Sequence, residues 1–286
     1  MSNNPTILVV VGDLHAGSEY GLCPPRATLD GGGSYRSNKW QRWLWSNWLD
    51  FWGRVAAIEG RKVYAFNGDL IQGQPFRDVQ LWTVNTKDQE LAATECIATA
   101  IEIAPAEALF FVRGTESHTG KAGQSDERIA AQFVEDEKGK ILTQPRYNLD
   151  AELREAPASH FRLDLEIDGV RVMVKHHPSS RSMRVYTTGG AVNRAVAQLL
   201  TIAGKYGFPA PHLAIWGHTH RIEDSGQTWP NCRGIYGPCW QLETAYSHRI
   251  TDEPPSVGGV VTTIKAGGYA AEVIQYLLPR RKAIKL

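Results

Sequence analysis

The most restrictive feature of this sequence is an unbroken aliphatic run, Ile7 to Val11, followed at once by Gly12-Asp13-Leu14-His15. A strand without polar positions is typical of the interior of an α/β sheet, where both faces are buried, and Gly12 marks the turn at its end. Asp13 and His15 are two positions apart, so in extended backbone they point to the same side. This segment alone is compatible with a divalent metal site, or with a turn carboxylate beside a surface histidine.

The same succession of a short apolar strand, a glycine and polar residues recurs along the chain. Strands are predicted at Lys62 to Phe66, Ala108 to Val112, Val170 to Lys175 and His212 to Trp216. Polar ends of parallel strands meet at one edge of a sheet, where α/β proteins bind ligands. The side chains brought there would be Asp13, His15, Asp69, His118, His176, His218 and His220. These nitrogen and oxygen donors suit borderline divalent metals, and Asp69 can bridge two ions about 3.5–4 Å apart.

Helical periodicity separates these strands. Trp40, Trp43, Trp48 and Trp52 recur at helical spacing within a predicted helix from Asn38 to Ile58, which follows a Gly- and Pro-rich loop over Ser18 to Ser37. We favour packing of this helix on the sheet, and the alternative is a stripe that binds a partner or stacks on bases. Further helices are predicted at Thr86 to Ile103, Asp126 to Val134 and Gly189 to Tyr206, a charged connection at Glu135 to Gln144, a hairpin turn at Asp168-Gly169, and strands at Gly259 to Lys265 and Tyr269 to Leu277.

Length and composition limit the class of protein. The 286 residues, with 42% hydrophobic content, predict one domain over 1–286, with the loop and Trp-rich helix inserted at about 18–59 and a basic tail at 279–286. A net charge of +1 excludes a general attraction to nucleic acid or anionic membranes. Since no apolar run reaches membrane-spanning length and no basic leader precedes the first strand, we expect a cytoplasmic protein with no membrane partner. The four cysteines are expected to be reduced packing residues, and the sequence leaves the oligomeric state open.

The order of these motifs resembles that of the calcineurin-like metallophosphoesterase superfamily. Asp13-Leu14-His15, Gly68-Asp69, a variant block at Gly114, the strand-terminal His176, and Gly217-His218-Thr219-His220 match the superfamily pattern of Asp-x-His, Gly-Asp, Gly-Asn-His, His and Gly-His-x-His. The resemblance extends from Val9 to His220. The ordered combination is far more specific than any single block.

The resemblance implies a fold, a reaction and a ligand set. The fold would be an α/β sandwich of two mixed sheets flanked by helices, with the site at the carboxyl edge of the sheets. The activity would be dinuclear-metal-dependent phosphoester hydrolysis, with a phosphodiester as the favoured substrate and a metal-bridging hydroxide as the nucleophile. Manganese is the expected metal, and iron, zinc, nickel and magnesium are compatible. The implied ligands are Asp13, His15, Asp69 and His220 for the first ion, and Asp69, His176 and His218 for the second. His118 would stabilise or protonate the leaving group.

The third block departs from the superfamily pattern. Thr115 stands where the superfamily has an asparagine ligand, and the next histidine is His118. A threonine hydroxyl is a weak ligand, so Thr115 binds weakly or through water, Glu116 or His118 takes its place, or the second ion binds only with substrate.

Several charged residues and one further histidine lie near these blocks. Arg113 could hold a phosphate or form an exposed salt bridge, with equal weight. A solvated face is favoured for Lys175, Arg181 and Arg184 over a phosphate groove. His177 is expected to be a hydrogen-bond donor that supports the ligands, or a turn residue.

Two alternatives to a phosphodiesterase remain. A nuclease of the same superfamily would give the Trp-rich helix and nearby arginines a role in binding DNA or RNA. A non-catalytic interaction protein would keep one metal, having lost the second site at the altered third block.

Overall fold

The computed structural model describes residues 4–75, 78–134, 158–181 and 189–279. Within them, two five-stranded sheets face each other and helices cover both outer faces. The α/β sandwich of mixed sheets flanked by helices is thereby confirmed. Arg184, the 135–144 connection and the basic tail from 280 onward lie outside the described residues.

The first sheet holds the aliphatic run at its centre. Its strand order is β12-β11-β1-β4-β5, in which β1, β4 and β5 are parallel and β11 and β12 are antiparallel additions. Three parallel strands side by side place three carboxyl ends at one edge. The strands are β1 (Thr6–Val11), β4 (Arg61–Asn67), β5 (Ala108–Val112), β11 (Val257–Lys265) and β12 (Gly268–Tyr276).

The second sheet supplies two further carboxyl ends. Its order is β6-β7-β8-β10-β9, and β7, β8 and β10 are parallel. Its strands are β6 (Leu163–Ile167), β7 (Val170–Lys175), β8 (Leu213–Trp216), β9 (Glu223–Asp224) and β10 (Arg233–Tyr236). A small separate hairpin consists of β2 (Arg26–Thr28) and β3 (Ser34–Arg36).

Alternation of side chains along the strands builds the layers. Leu8 and Val10 of β1 face the second sheet, where they share an apolar cluster with Val172 and Val174 of β7. Burying these aliphatic groups between the sheets stabilises the sandwich and fixes one sheet edge against the other.

The helices cover the two outer faces of the sandwich. Ile7, Val9 and Val11, which alternate with Leu8 and Val10 along β1, share an apolar cluster with residues of the first, second and fourth helices. On the far side, residues of the fifth helix cluster with β7, β8 and β10. The helices are α1 (Lys39–Ala57), α2 (Thr86–Ile103), α3 (Glu116–Thr119), α4 (Gln124–Ala131), α5 (Gly190–Tyr206) and α6 (Ser247–Ile250).

The Trp-rich helix α1 is a packing element. Asn38 caps its first turn through a reciprocal pair of hydrogen bonds with Gln41, and its apolar face lies on the first sheet. Trp48 and Trp52 are fully buried, and Trp48 Nε1 donates to the Cys96 carbonyl at 3.0 Å. The packing interpretation of the tryptophans is therefore the one that the structure supports.

Most predicted elements are present, and the differences are local. The region predicted as a loop over Ser18 to Ser37 contains the β2–β3 hairpin, and the short strands β9 and β10 were not predicted. The predicted helix from Asp126 to Val134 begins two residues earlier, at Gln124, and ends at Ala131. All four cysteines are free and buried, in agreement with the sequence. Among the described residues, the helices lack the combined length and hydrophobicity that crossing a bilayer requires.

Replacing Trp48 by Ala is expected to lower the free energy of unfolding by about 3–5 kcal/mol, because a large fully buried side chain leaves a cavity. Urea denaturation measures this change. The exposed neighbour Leu49, 37% accessible, is the control, and Leu49→Ala should change stability by less than about 1 kcal/mol. A Trp48→Ala protein as stable as the wild type would contradict the packing role.

Candidate metal centre

Five strand ends converge at one edge of the sandwich. The chain continues to pair just beyond β1 and β4, where Asp13 N donates to the Gly68 carbonyl at 2.8 Å and His15 N donates to the Asp69 carbonyl at 3.0 Å. The ends of β7 and β8 are joined by Gly217 N, which donates to the His176 carbonyl at 3.1 Å. These backbone bonds hold the polar segments together within each sheet, and His218 N, which donates to Asp13 Oδ2 at 3.1 Å, joins the segments of the two sheets.

The first group of possible ligands contains Asp13, His15 and His220. His220 Nε2 lies 3.2 Å from Asp13 Oδ1 and 3.1 Å from His15 Nε2. Both Asp13 and His15 are almost completely buried. The strand end of β1 and the segment after β8 thus supply one compact set of donor atoms.

The second group contains Asp69, His176 and His218. His176 Nε2 is 3.0 Å from Asp69 Oδ2, and His218 Nδ1 is 4.0 Å from the same oxygen. His176 Nδ1 faces the Asn67 carbonyl at 2.6 Å, which orients the ring with Nε2 toward the carboxylate. The two groups adjoin, because His176 Nε2 is also 3.9 Å from Asp13 Oδ1.

Backbone conformation at this edge is unusual. Five members of the two groups have positive φ angles, a region that non-glycine residues rarely occupy. They are Asp13 (52°), His15 (47°), Asp69 (48°), His218 (70°) and His220 (57°). Clusters of such residues are characteristic of functional sites, because the surrounding structure must hold each one in place.

Two glycines allow the segments to approach this closely. A Cβ atom at Gly114 would lie 2.2 Å from both Asp69 N and Asp69 Oδ1, and one at Gly68 would lie 2.6 Å from Gly114 Cα. No side chain fits at either position without moving the backbone. These are the glycines of the second and third sequence blocks.

Electrostatics at the edge are dominated by the two buried carboxylates. Burial raises the pKa of Asp13, but the charge of His176 and hydrogen bonds from His15 and His220 outweigh it and lower the pKa of Asp13 below its usual range. Burial opposes protonation of His176, yet the charges of Asp69 and Asp13 raise its pKa to about 10. The two carboxylates therefore stay ionised, and positive charge beside them stabilises them.

These residues fit divalent metal ions. Two imidazole nitrogens, of His15 and His220, face each other at 3.1 Å with a carboxylate oxygen beside them, an arrangement that a shared cation stabilises. The buried Nδ1 of His15 has no hydrogen-bond partner among the described residues. Carboxylate and imidazole donors are also the ligands that zinc, iron and manganese accept.

Thr115 contacts the second group through Asp69. Its backbone N and its Oγ1 both lie 2.6 Å from Asp69 Oδ1, so the threonine donates to the carboxylate. Glu116 is exposed at the start of α3 and belongs to neither group. The threonine thus orients Asp69, and the second group consists of three side chains.

His118 lies beside the first group. Its Nδ1 is 2.7 Å from the Gln72 carbonyl, and its ring meets that of His15 edge-on with centroids 4.6 Å apart. Since a carbonyl accepts, Nδ1 carries the proton and Nε2 is the nitrogen left for a ligand or substrate.

Arg113 is held by hydrogen bonds to three residues outside the two ligand groups. Its guanidinium donates to Ser159 Oγ at 2.8 Å, to the Ala122 carbonyl at 2.8 Å and to Glu127 at 2.9 Å. These three bonds occupy both edges of the guanidinium. Arg113 thus forms a largely buried salt bridge with Glu127, and a contact of Arg113 with phosphate stays a prediction.

The remaining candidates lie around the rim. Arg181 Nη1 is 2.6 Å from His218 Nε2, so this arginine contacts the second group although a solvated face was favoured for it. Lys175 is exposed at the end of β7. The His177 ring lies 4.5 Å from that of His218 and belongs to neither ligand group.

Sequence reasoning missed the buried residues that support this edge. Asp126, fully buried in the first turn of α4, accepts from Gly114 N at 2.7 Å and Leu70 N at 3.3 Å, and so ties the segments after β4 and β5 together. Burial raises its pKa to about 7 despite these bonds. Gln72, whose carbonyl holds His118, is itself held by Gln241 Nε2 at 2.9 Å. An acidic residue in a helix's first turn is too common to have indicated this role.

Comparison with known proteins adds structural likeness only. No protein-family model matches the chain, and no curated protein matches it. Among solved structures, Vacuolar Protein Sorting 29 from Cryptosporidium parvum is 10% identical, with 96% of this chain and 98% of that chain covered and a TM-score of 0.42.

Two further similar structures come from bacteria. A conserved protein from Streptococcus pneumoniae, described as a predicted phosphoesterase, is 10% identical over 96% of this chain and 91% of that chain, with a TM-score of 0.37. NAD nucleotidase from Haemophilus influenzae is 10% identical over 96% of this chain and 50% of that chain, with a TM-score of 0.41. Likenesses at this level do not assign an activity to the chain.

Replacing Asp126 by Ala is expected to lower the free energy of unfolding by about 2–4 kcal/mol, because two backbone N–H groups lose their acceptor inside the protein. Asp126→Asn keeps one acceptor oxygen and should lose less. Urea denaturation of both variants measures the difference. Equal stability of Asp126→Ala and the wild type would show that these hydrogen bonds do not hold the edge.

Proposed function

We propose that this protein is a metal-dependent phosphoester hydrolase of the calcineurin-like type, acting on phosphodiesters. The observation that carries the proposal is the pair of adjoining ligand groups, Asp13 with His15 and His220, and Asp69 with His176 and His218, at one sheet edge. Their order along the chain is the one that the resemblance implies. A dinuclear site with Asp69 as the shared ligand is part of the proposal, with manganese as the expected metal.

Two divalent ions bound at these groups would supply a water of lowered pKa as nucleophile and positive charge opposite the phosphoryl oxygens. The chain's own residues prepare that chemistry. Asp13 and Asp69 provide buried negative charge, and Thr115 fixes Asp69 through its hydroxyl and backbone N. Hydrogen bonds of Asp13 N to the Gly68 carbonyl, of His15 N to the Asp69 carbonyl and of His218 N to Asp13 Oδ2 hold the ligand-bearing segments in their strained conformations.

His118 is proposed to protonate the leaving oxygen. Its Nδ1–H is engaged by the Gln72 carbonyl, so a second proton is taken up and released at Nε2. The edge-on contact with His15 places the ring beside the first group rather than within it. A general acid in this position contributes about 10²–10⁴-fold to the rate.

The small number of arginine side chains at the two ligand groups favours a phosphodiester as the substrate. A phosphomonoester dianion is commonly held by bidentate arginine, but Arg113 is engaged with Glu127 and Ser159. Within the described part of the chain, Arg181 is the arginine that contacts a member of either group. A single cation suits the single negative charge of a diester.

The two alternatives have less support. The Trp-rich helix that motivated a nuclease is packed on the sheet, and Trp48 and Trp52 are inaccessible to bases. For the interaction protein, the part of the helix that stays accessible carries the partly buried Trp40, Trp43 and Trp45, while Trp48 and Trp52 offer no binding surface. Hydrolysis of bis-p-nitrophenyl phosphate, p-nitrophenyl phosphate, and single- and double-stranded DNA with added manganese compares a phosphodiesterase, a phosphatase and a nuclease. No hydrolysis of any of them by protein with one tightly bound ion would favour the interaction protein.

The Asp69→Asn variant tests the shared ligand. Manganese-dependent hydrolysis of bis-p-nitrophenyl phosphate should fall by about 1,000-fold or more, because an amide carries no charge with which to bridge two ions. Asp164→Asn, at an exposed carboxylate on β6, is the matched control and should retain full activity. Substantial activity in Asp69→Asn would contradict the dinuclear assignment.

The His118→Ala variant separates proton transfer from metal binding. The rate should fall by about 10²–10⁴-fold while the metal content, measured by elemental analysis, stays at the wild-type value. The loss should be smaller for a substrate with a p-nitrophenolate leaving group, which needs little protonation, than for an alkyl ester. A matching loss of metal would instead identify His118 as a ligand.

A further inference from the structure

The chemistry of the two groups determines which of them donates in the contact between Arg181 and His218. Arg181 Nη1 lies 2.6 Å from His218 Nε2. A guanidinium has only donors, so Nε2 of the imidazole must be the acceptor and carry the lone pair. In the neutral ring the proton is then on Nδ1.

Nδ1 is the nitrogen of His218 that faces the second ligand group, 4.0 Å from Asp69 Oδ2. An imidazole nitrogen can bind a metal ion only through its lone pair. When Nδ1 binds an ion, the ring proton must be on Nε2, and Nε2–H then faces the guanidinium with two donors opposed. The Arg181 contact and ligation of an ion by Nδ1 are therefore mutually exclusive.

Among the described residues, His218 is the hydrogen-bond partner of the Arg181 guanidinium. Its side chain is exposed, and no carboxylate in the described residues pairs with it. The guanidinium already lies within hydrogen-bond distance of His218, a member of the second group, so it is close enough to reach an anion bound at that group. There the planar donor pair fits two non-bridging oxygens of a phosphoryl group.

We propose that Arg181 is a substrate-binding residue, which His218 holds until an ion binds at Nδ1 and which then binds a phosphoryl oxygen of the substrate. This inference rests on the proposed function and adds to it a coupling between metal binding and anion binding. Metal binding at the second group both places positive charge there and releases the arginine. The coupling requires no movement of the backbone.

Binding of inorganic phosphate to the full-length protein tests the inference. Isothermal titration calorimetry compares wild type, Arg181→Met and Arg162→Met, each loaded with manganese and freed of excess metal, and each after EDTA treatment. Methionine keeps the length of the side chain and removes every donor. Arg162, an exposed arginine paired with Asp164 on the strand β6, is the matched control.

In the manganese-loaded protein, Arg181→Met should bind phosphate about 10- to 100-fold more weakly than wild type, and Arg162→Met should match wild type. Metal content should be the same in all three. After EDTA treatment, wild type and Arg181→Met should differ by less than about threefold. Equal phosphate affinity in the loaded wild-type and Arg181→Met proteins would overturn the inference, as would loss of metal from Arg181→Met, which would make Arg181 a residue that only positions His218.

The tautomer of His218 gives a second, independent readout. In ¹⁵N-labelled protein without metal, NMR should show His218 protonated on Nδ1, and addition of diamagnetic Zn²⁺ should move the proton to Nε2. The His218→Gln variant assigns the signal. A His218 protonated on Nε2 without metal would overturn the exclusion on which the proposal depends.

These outcomes are distinguishable from failure of the proposed function. Wild-type protein that binds manganese and cleaves a diester, together with unchanged phosphate binding by Arg181→Met, would remove only the role of Arg181. Wild-type protein that binds no divalent metal would remove both.

Discussion

Two carboxylates, Asp13 and Asp69, lie fully buried at one edge of the sandwich, and the rest of the site follows from the need to balance their charge. A buried ionised carboxylate is strongly unfavourable without a cation and hydrogen-bond donors. The groups around the two carboxylates are imidazoles from the segments that follow β1, β7 and β8, backbone N–H groups of Thr115 and His218, and the Thr115 hydroxyl. Every group that approaches these oxygens is a donor or a possible metal ligand.

The two-sheet architecture makes this concentration of charge feasible. Each sheet alone would expose its carboxyl edge to water. The aliphatic layer of Leu8, Val10, Val172 and Val174 holds the sheets face to face, so the ends of β1 and β4 meet those of β7 and β8. Hydrophobic packing thereby determines the positions of the polar atoms, although it includes none of them. Asp126 and Gln72 stabilise this edge further. Asp126 accepts hydrogen bonds from the backbone of Leu70 and Gly114, and the backbone carbonyl of Gln72 binds His118, so neither is hydrogen-bonded to a member of the ligand groups.

The sequence predicts the strands and the ligand groups well because both have short-range signatures. An aliphatic run that ends in glycine and an acid indicates a buried strand and its carboxyl end, and the helices α1, α2 and α5 show clear periodicity. The residues that escape prediction act over long distances. Nothing in the local sequence distinguishes Asp126 from an ordinary first-turn acid, and Arg113 is engaged by Glu127 and Ser159, which lie 14 and 46 residues away along the chain. The strand β10 was missed because four residues with a glycine among them give too weak a pattern, while its neighbour β8 stabilises it.

The left-handed backbone at Asp13, His15, Asp69, His218 and His220 has a consequence for how this fold tolerates change. Each such residue carries a conformational penalty of roughly 1 kcal/mol or more that glycine would not carry. Drift toward glycine at these positions would therefore relax the fold while deleting an imidazole or a carboxylate. The backbone at these five positions would be relaxed by glycine, so folding stability alone does not account for the side chains that stand there.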